Sequence, residues 1–168
     1  MIFNSLTLEN FRVFRSTHTI NLNVQNGRPI VLFGGLNGAG KTSILNAIRV
    51  LLFGRNAFKD IRTKQDYEDL LVDFINGKKQ NKLDHASVKL SLTFSKLGKE
   101  QEYEIERYWS FKNSNLKEKL TISQNGYELT ELNNTGAQSF INDLIPIGIA
   151  DLFFFDGEKI KHMADDQD

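Results

Sequence analysis

Pro29-Ile30-Val31-Leu32-Phe33-Gly34-Gly35-Leu36-Asn37-Gly38-Ala39-Gly40-Lys41-Thr42-Ser43-Ile44-Leu45 is the stretch on which the fold turns. It passes from a short apolar run, through a glycine-rich bend, into helical spacing. The run at 29–33 is rich in β-formers and implies a central strand covered on both faces. From Lys41 to Phe53 the residues Ile44, Leu45, Ile48, Leu51 and Leu52 fall on one helical stripe, and Gly54 is a natural stop. Residues 35–42 fit G-x-x-x-x-G-K-[ST] without a mismatch, between the two flanks that this pattern requires.

Each position has a physical reason. Glycines let the backbone turn tightly and approach an anion with no Cβ in the way. Successive N–H groups from Gly35, Asn37, Gly38, Ala39 and Gly40 can then converge as an anion nest, and the start of the helix adds its positive dipole end. Lys41 is expected to reach β- and γ-phosphates, and the Thr42 hydroxyl to bind Mg²⁺, with Ser43 beside it on the first turn. The ligand implied is ATP with Mg²⁺.

Outward from this loop, Phe3, Leu6, Leu8 and Phe11, then Ile20, Leu22 and Val24, alternate as half-buried strands. Gln65 to Ile75 has helical spacing, with Gly77 as its stop. Ala86 to Phe94 and Tyr103 to Trp109 alternate with period two, Leu120 and Ile122 open a further strand, and Asn125-Gly126 is a hairpin turn. Residues 86–130 are therefore expected to form an antiparallel meander, in which Trp109 and Tyr108 pack. Helical spacing returns at Phe140, Ile141, Leu144 and Ile145, and Pro146 ends it. Leu152-Phe153-Phe154-Phe155 is a second buried strand running into Asp156-Gly157-Glu158. Asp156 at the carboxyl end of that strand can face a metal beside the loop, or cap the helix that follows.

Composition narrows the class. Hydrophobic residues make up 40% and charged residues 25% of 168, enough for one packed unit. There is no Cys, which excludes disulfides and thiolate zinc sites. No apolar run nears the roughly 20 residues of a membrane helix, and the N-terminus lacks a signal-peptide pattern, so a cytoplasmic protein without a membrane partner is expected. Basic and acidic residues balance at 21 each. Residues 1–58 nevertheless hold six basic residues against Glu9 alone, whereas residues 120–168 hold two against nine acids. The positive first third suits an anionic ligand.

Asn10-Phe11-Arg12 after the first strand, followed by the Gly35–Thr42 loop, resembles the SMC, RecF and RecN class of DNA-associated ABC-type ATPases. Val31–Thr42 and Leu152–Ile160 together resemble the N-terminal lobe of the DndD family of DNA sulfur modification proteins. The resemblance implies an α/β P-loop NTPase fold, an ABC-type head lobe with a mixed sheet and an antiparallel meander. Residues 1–58 would supply strands, loop and first helix, 59–85 a helical insert, 86–130 the meander, and 131–168 a helix, buried strand and Q-loop-like segment, cut before a coiled coil. In that class the segment after the second buried strand touches Mg²⁺ and the attacking water. Asp156 stands where many relatives have Gln, and it and Glu158 are placed at the catalytic centre with Lys41. Arg12 is expected near the phosphates, with Arg55 or Arg62 as the candidate for the class's arginine loop.

No Ser-Gly-Gly signature, apolar run ending Asp-Glu or long heptad segment is present. The class supplies these from a C-terminal lobe and arms, and forms nucleotide-dependent homodimers. This lobe alone is therefore expected to bind ATP and hydrolyse it poorly. The implied setting is DNA phosphorothioation, with DNA and other DNA sulfur modification proteins as partners. The alternatives are a head acting in double-strand-break repair or recombination, and a non-hydrolysing assembly module. Lys78, Lys79, Lys82, Lys112, Lys117 and Lys119 are the candidates for a DNA-facing edge, although interspersed acids favour a solvated face.

Overall fold

The computed structural model describes residues 1–24, 30–77, 83–96 and 98–148. The chain runs β1 (Ile2–Phe11), β2 (Phe14–Asn21), α1 (Lys41–Phe53), a 3₁₀ turn (Gly54–Ala57), α2 (Lys64–Phe74), β3 (His85–Lys96), β4 (Lys99–Lys112), β5 (Asn115–Gln124), β6 (Tyr127–Glu128) and α3 (Asn134–Leu144). The strands form one sheet in the order β2-β1-β3-β4-β5-β6, and every pairing is antiparallel.

Period-two alternation sets the two faces of this sheet. Leu6 lies opposite Leu90, Leu90 opposite Ile105, and Ile105 opposite Ile122, so one apolar row crosses four strands. All four side chains are buried. Thr7, Lys89, Glu106 and Thr121 make the neighbouring row on the wet face. Lys89 there pairs with Glu104 at 3.1 Å and Glu106 at 3.7 Å. The apolar face takes the helices: α1 packs on β1, β3 and β4, and α3 on β5 and α1. Trp109, fully buried, donates its indole N–H to the Leu71 carbonyl of α2 at 2.8 Å. Its packing role is as the alternation implied, whereas Tyr108 lies on the wet face, half-exposed and stacked on His85.

The second row of the covered face runs Leu8, Val88, Arg107, Leu120. An arginine thus takes a core position, only 5% exposed. It is tolerated because every arm of the guanidinium is bonded. Nε and Nη2 each donate to the Leu51 carbonyl at 3.2 Å, Nη2 also to Gln138 Oε1 at 2.6 Å, and Nη1 to Glu118. Glu118 accepts the Tyr67 hydroxyl at 2.8 Å, and Gln138 donates to the Leu52 carbonyl at 2.7 Å. Burial pushes the Tyr67 phenol above its ordinary range, so it stays a donor. Leu51 and Leu52 lie in the last turn of α1, whose carbonyls have no intrahelical partner and carry the negative dipole end. Gly54 makes room for this: a Cβ there would stand 3.3 Å from the Arg107 guanidinium, at a φ of +52°.

Three expectations differ from the structure. Residues 30–33 form no strand, and Ile30 and Leu32 are 80% and 89% exposed. A doubly covered strand needs neighbours on both edges and layers on both faces. Among the described residues none pairs with it, and only Phe33 of its apolar side chains packs on the core. The mixed sheet is, over the described residues, purely antiparallel for the same reason. The strand expected at 20–24 is displaced: β2 begins at Phe14 and ends at Asn21, fixed by its pairing with β1. The buried strand expected at 152–155 lies outside the described residues.

Arg107→Ala leaves Glu118 and the α1 carbonyls without their cation. Urea unfolding is expected to show a loss of about 3–5 kcal/mol, the usual cost of orphaning a buried ion pair.

Candidate functional site: the loop before α1

The start of α1 differs from the starts of the other two described helices. Thr63 caps α2 in a reciprocal box with Asp66, and Asn133 caps α3 by accepting from the Gly136 N–H. At α1 the cap residue is Gly40, no side chain caps the turn, and its first turn holds no acid. The backbone N–H groups of that turn therefore keep their donors and the positive dipole end free of carboxylates.

The loop curls tightly before it. Ala39 N–H donates to the Leu36 carbonyl at 3.1 Å, and a Cβ on Gly35 would meet the Ala39 methyl at 3.3 Å. Gly38 and Gly40 take φ of +83° and +100°, a region costly for residues with a Cβ. Gly40 is further constrained by the turn between β1 and β2. A Cβ there would stand 2.9 Å from Phe14 Cζ and 3.0 Å from Val13 Cγ2. The hairpin thus forms a wall against the last residue of the loop.

Lys41 folds back over this curl. Its Nζ donates to the Gly35 carbonyl at 2.8 Å and the Leu36 carbonyl at 3.1 Å, and both bonds are exposed. The ammonium thereby sits among the residues that the sequence assigns to phosphate. Thr42 is exposed and Ser43 buried on the same turn. Thr42 offers a hard hydroxyl oxygen one residue beyond the cation, a donor type that suits Mg²⁺.

Arg12 sits in the hairpin turn, next to Val13. Its N–H donates to the Phe74 carbonyl at 2.7 Å, and its guanidinium lies 4.9 Å over the Phe74 ring. The turn reaches the loop while the Arg12 charge rests on α2. Arg55 and Arg62 are tied together beyond the C-terminal end of α1, where Arg55 donates to the Arg62 carbonyl. A helix of 13 residues separates them from Lys41 by roughly 20 Å, so they do not join the loop. Asp156 and Glu158 lie outside the described residues, as do Lys78, Lys79 and Lys82. Of the other lysines expected on a DNA-facing edge, Lys112 pairs with Asp84 at 2.8 Å and Lys119 with Glu128 at 3.4 Å. A concavity of about 560 Å³ lies elsewhere, lined by Lys119, Leu129 and Asn134 among others.

Sequence reasoning missed the residues that hold this arrangement. Arg107, Glu118 and Gln138 fix the far end of α1, and Asn10 and His85 hold the hairpin turn. Arg107 left a signal as the one charge at an inward position of the run Tyr103, Ile105, Arg107, Trp109, and Asn10 stands in the Asn10-Phe11-Arg12 motif, which does not reveal its contact with His85.

Comparison with known proteins agrees with the sequence pattern. A family profile described as an AAA domain matches residues 5–168. No curated protein matches the chain. Among the described residues no helix is long and apolar enough to cross a membrane.

Gly38 and Gly40 separate backbone strain from crowding. Gly38→Ala, with open space around the new methyl, is expected to cost about 1–2 kcal/mol through φ alone. Gly40→Ala adds the collision with Phe14 and Val13 and is expected to cost about 1–3 kcal/mol more. Thermal unfolding of the two variants side by side checks the order.

Proposed function

We propose, from the premise that this chain belongs to the AAA domain family of SMC- and RecF-like ATPases, that the loop Gly35–Thr42 and the first turn of α1 receive the triphosphate of ATP. The observation that carries this is the uncapped, acid-free start of α1, joined to a glycine-shaped curl with an ammonium across it. A polyphosphate supplies the negative charge and the acceptors that this end of the helix lacks.

The roles follow from position. Gly38 and Gly40 turn the backbone so that its N–H groups face one point. Lys41 exchanges the Gly35 and Leu36 carbonyls for phosphate oxygens, a stronger charge-assisted bond. AAA domains generally use ATP with Mg²⁺. Thr42 is the residue here that would hold the ion, which when bound neutralises charge on the phosphate oxygens. Phe14 and Val13 keep Gly40, and with it the start of the helix, from retreating. Asp156 and Glu158 are proposed to act on the metal and the attacking water, and Arg12 to approach the phosphates from the hairpin turn.

The finer reading is an ABC-type head lobe that works with DNA in phosphorothioation. It rests on the resemblance of Leu152–Ile160 to the DNA sulfur modification ATPases. The exposed Ile30 and Leu32 support a partner lobe that supplies a neighbouring strand, and the absent signature motif supports turnover only in a nucleotide-dependent dimer. DNA and other sulfur modification proteins are the proposed partners of that assembly. The wet face of the sheet is an unsuitable surface for DNA, because Glu102, Glu104 and Glu106 line its centre.

Calorimetric titration with a non-hydrolysable ATP analogue and Mg²⁺ tests the central reading. The chain is expected to bind, and Lys41→Ala to weaken binding at least tenfold with an unchanged circular dichroism spectrum. Absence of binding to the unmodified chain, or equal affinity of the variant, contradicts it.

A further inference from the structure

Asn10 is buried at the end of β1 with a φ of +51°, a conformation that asparagine tolerates better than most residues. Its side-chain amide and its carbonyl all have partners. Its Oδ1 accepts from the Ser16 N–H at 3.0 Å, and its carbonyl accepts from the Asn76 N–H at 2.7 Å. Its Nδ2 stands 3.1 Å from His85 Nε2. The bond to Ser16 closes the segment 11–16, which carries Val13 and Phe14 against Gly40. Asn10 therefore sets the wall of the loop from the opposite side of the hairpin turn.

The state of His85 follows from its partners. Its Nδ1 lies 2.7 Å from Asp84 Oδ1. Hydrogen bonds from His85 and Lys112 hold the Asp84 carboxyl down at about 2, so it remains an acceptor. Nδ1 must then carry a proton, and the Nε2 of a neutral ring offers a lone pair to Asn10. The other groups facing the ring are Glu9 Oε1 on β1 at 3.6 Å and Tyr108 on β4, stacked at 5.8 Å between centroids. Lys112 on β4 holds the second oxygen of Asp84 at 2.8 Å, and Ser87 donates to Glu9 at 3.3 Å.

We propose that Asn10 is a positioning residue for the loop Gly35–Thr42, and that uptake of a proton by His85 releases it. A second ring proton at Nε2 meets the N–H groups of Asn10 instead of accepting from them. It has an alternative acceptor in Glu9 Oε1 at 3.6 Å, so Asn10 Nδ2 loses its acceptor and the amide that holds Ser16 is no longer fixed from its far side. Val13 and Phe14 then press less firmly on Gly40. The consequence for affinity rests on the reading of this loop as the ATP site, whereas the mechanical coupling does not.

The two are tested separately. In the first measurement, amide spectra of the nucleotide-free chain are followed from pH 5.5 to 8. The Ser16 and Gly40 amides are expected to move with the same midpoint as the His85 ring, and to stay still in His85→Gln. In the second, affinity for a magnesium-bound ATP analogue is measured at pH 6 and pH 8. The ratio is expected to favour pH 8 by about threefold to tenfold more in the unmodified chain than in His85→Gln, the worth of one hydrogen bond. Protonation of the nucleotide itself cancels in this comparison. Asn10→Asp still accepts from Ser16 but repels the neutral ring and attracts the charged one, so its dependence is expected to reverse. A Gly40 amide that ignores the His85 titration, equal ratios in the unmodified chain and His85→Gln, or no reversal in Asn10→Asp overturns the proposal. Lys41→Ala that binds as tightly as the unmodified chain overturns the ATP reading instead, and leaves the coupling to be judged by the amides.

Discussion

Arg107 closes the C-terminal end of α1. Its guanidinium satisfies the Leu51 carbonyl, meets the negative end of the helix dipole, and is held by Glu118 on β5 and Gln138 on α3. Tyr67 of α2 joins through Glu118. Four elements thus meet at one cation, and α1 has a fixed place on the sheet that its own apolar stripe could not specify to the same degree. The rest of the structure follows from that fixed end. A helix clamped at its C-terminus can leave its N-terminus uncapped, a deficit of about 1 kcal/mol, and still stay folded.

The two ends of α1 are therefore unlike in kind. One is buried and saturated. The other is open, positive and preceded by a curl of glycines, with the hairpin of β1 and β2 as its wall. Such an end suits chemistry that develops or neutralises negative charge, and AAA domains generally use ATP. The hairpin wall matters because an anion nest works only while its N–H groups converge. Gly40 lies against Val13 and Phe14, and the turn that carries them is closed by the Ser16 N–H bond to Asn10 on β1.

Much of this was legible in the chain. The meander from 86 to 130 follows its alternation closely, because one wet face and one covered face give a clean period of two. The glycine pattern at 35–42 marks the loop, since backbone shape there is dictated by residue type. The helical spacing at Phe140, Ile141 and Leu144 marks only the second half of α3, because Asn134, Thr135 and Gly136 are poor helix formers, and the cap of Asn133 with burial of Ala137 overrides them. The run at 30–33 was misplaced for a different reason. Its apolar side chains specify an environment, and the described residues do not provide that environment. The contacts Arg107–Glu118 and Asn10–His85 escaped because they join residues 11 and 75 positions apart, a distance that no local pattern encodes.

The most direct test of a helix held at one end and open to ATP at the other is hydrogen exchange along α1, with and without a magnesium-bound ATP analogue. Without nucleotide, the amides of Val50 to Phe53 are expected to exchange slowly and those of Gly35 to Ile44 quickly. On addition of nucleotide, protection is expected to rise at residues 35–44 and to stay level at the Arg107 end. Rapid exchange at Val50 to Phe53 in the free chain, or nucleotide protection that bypasses residues 35–44, contradicts the account.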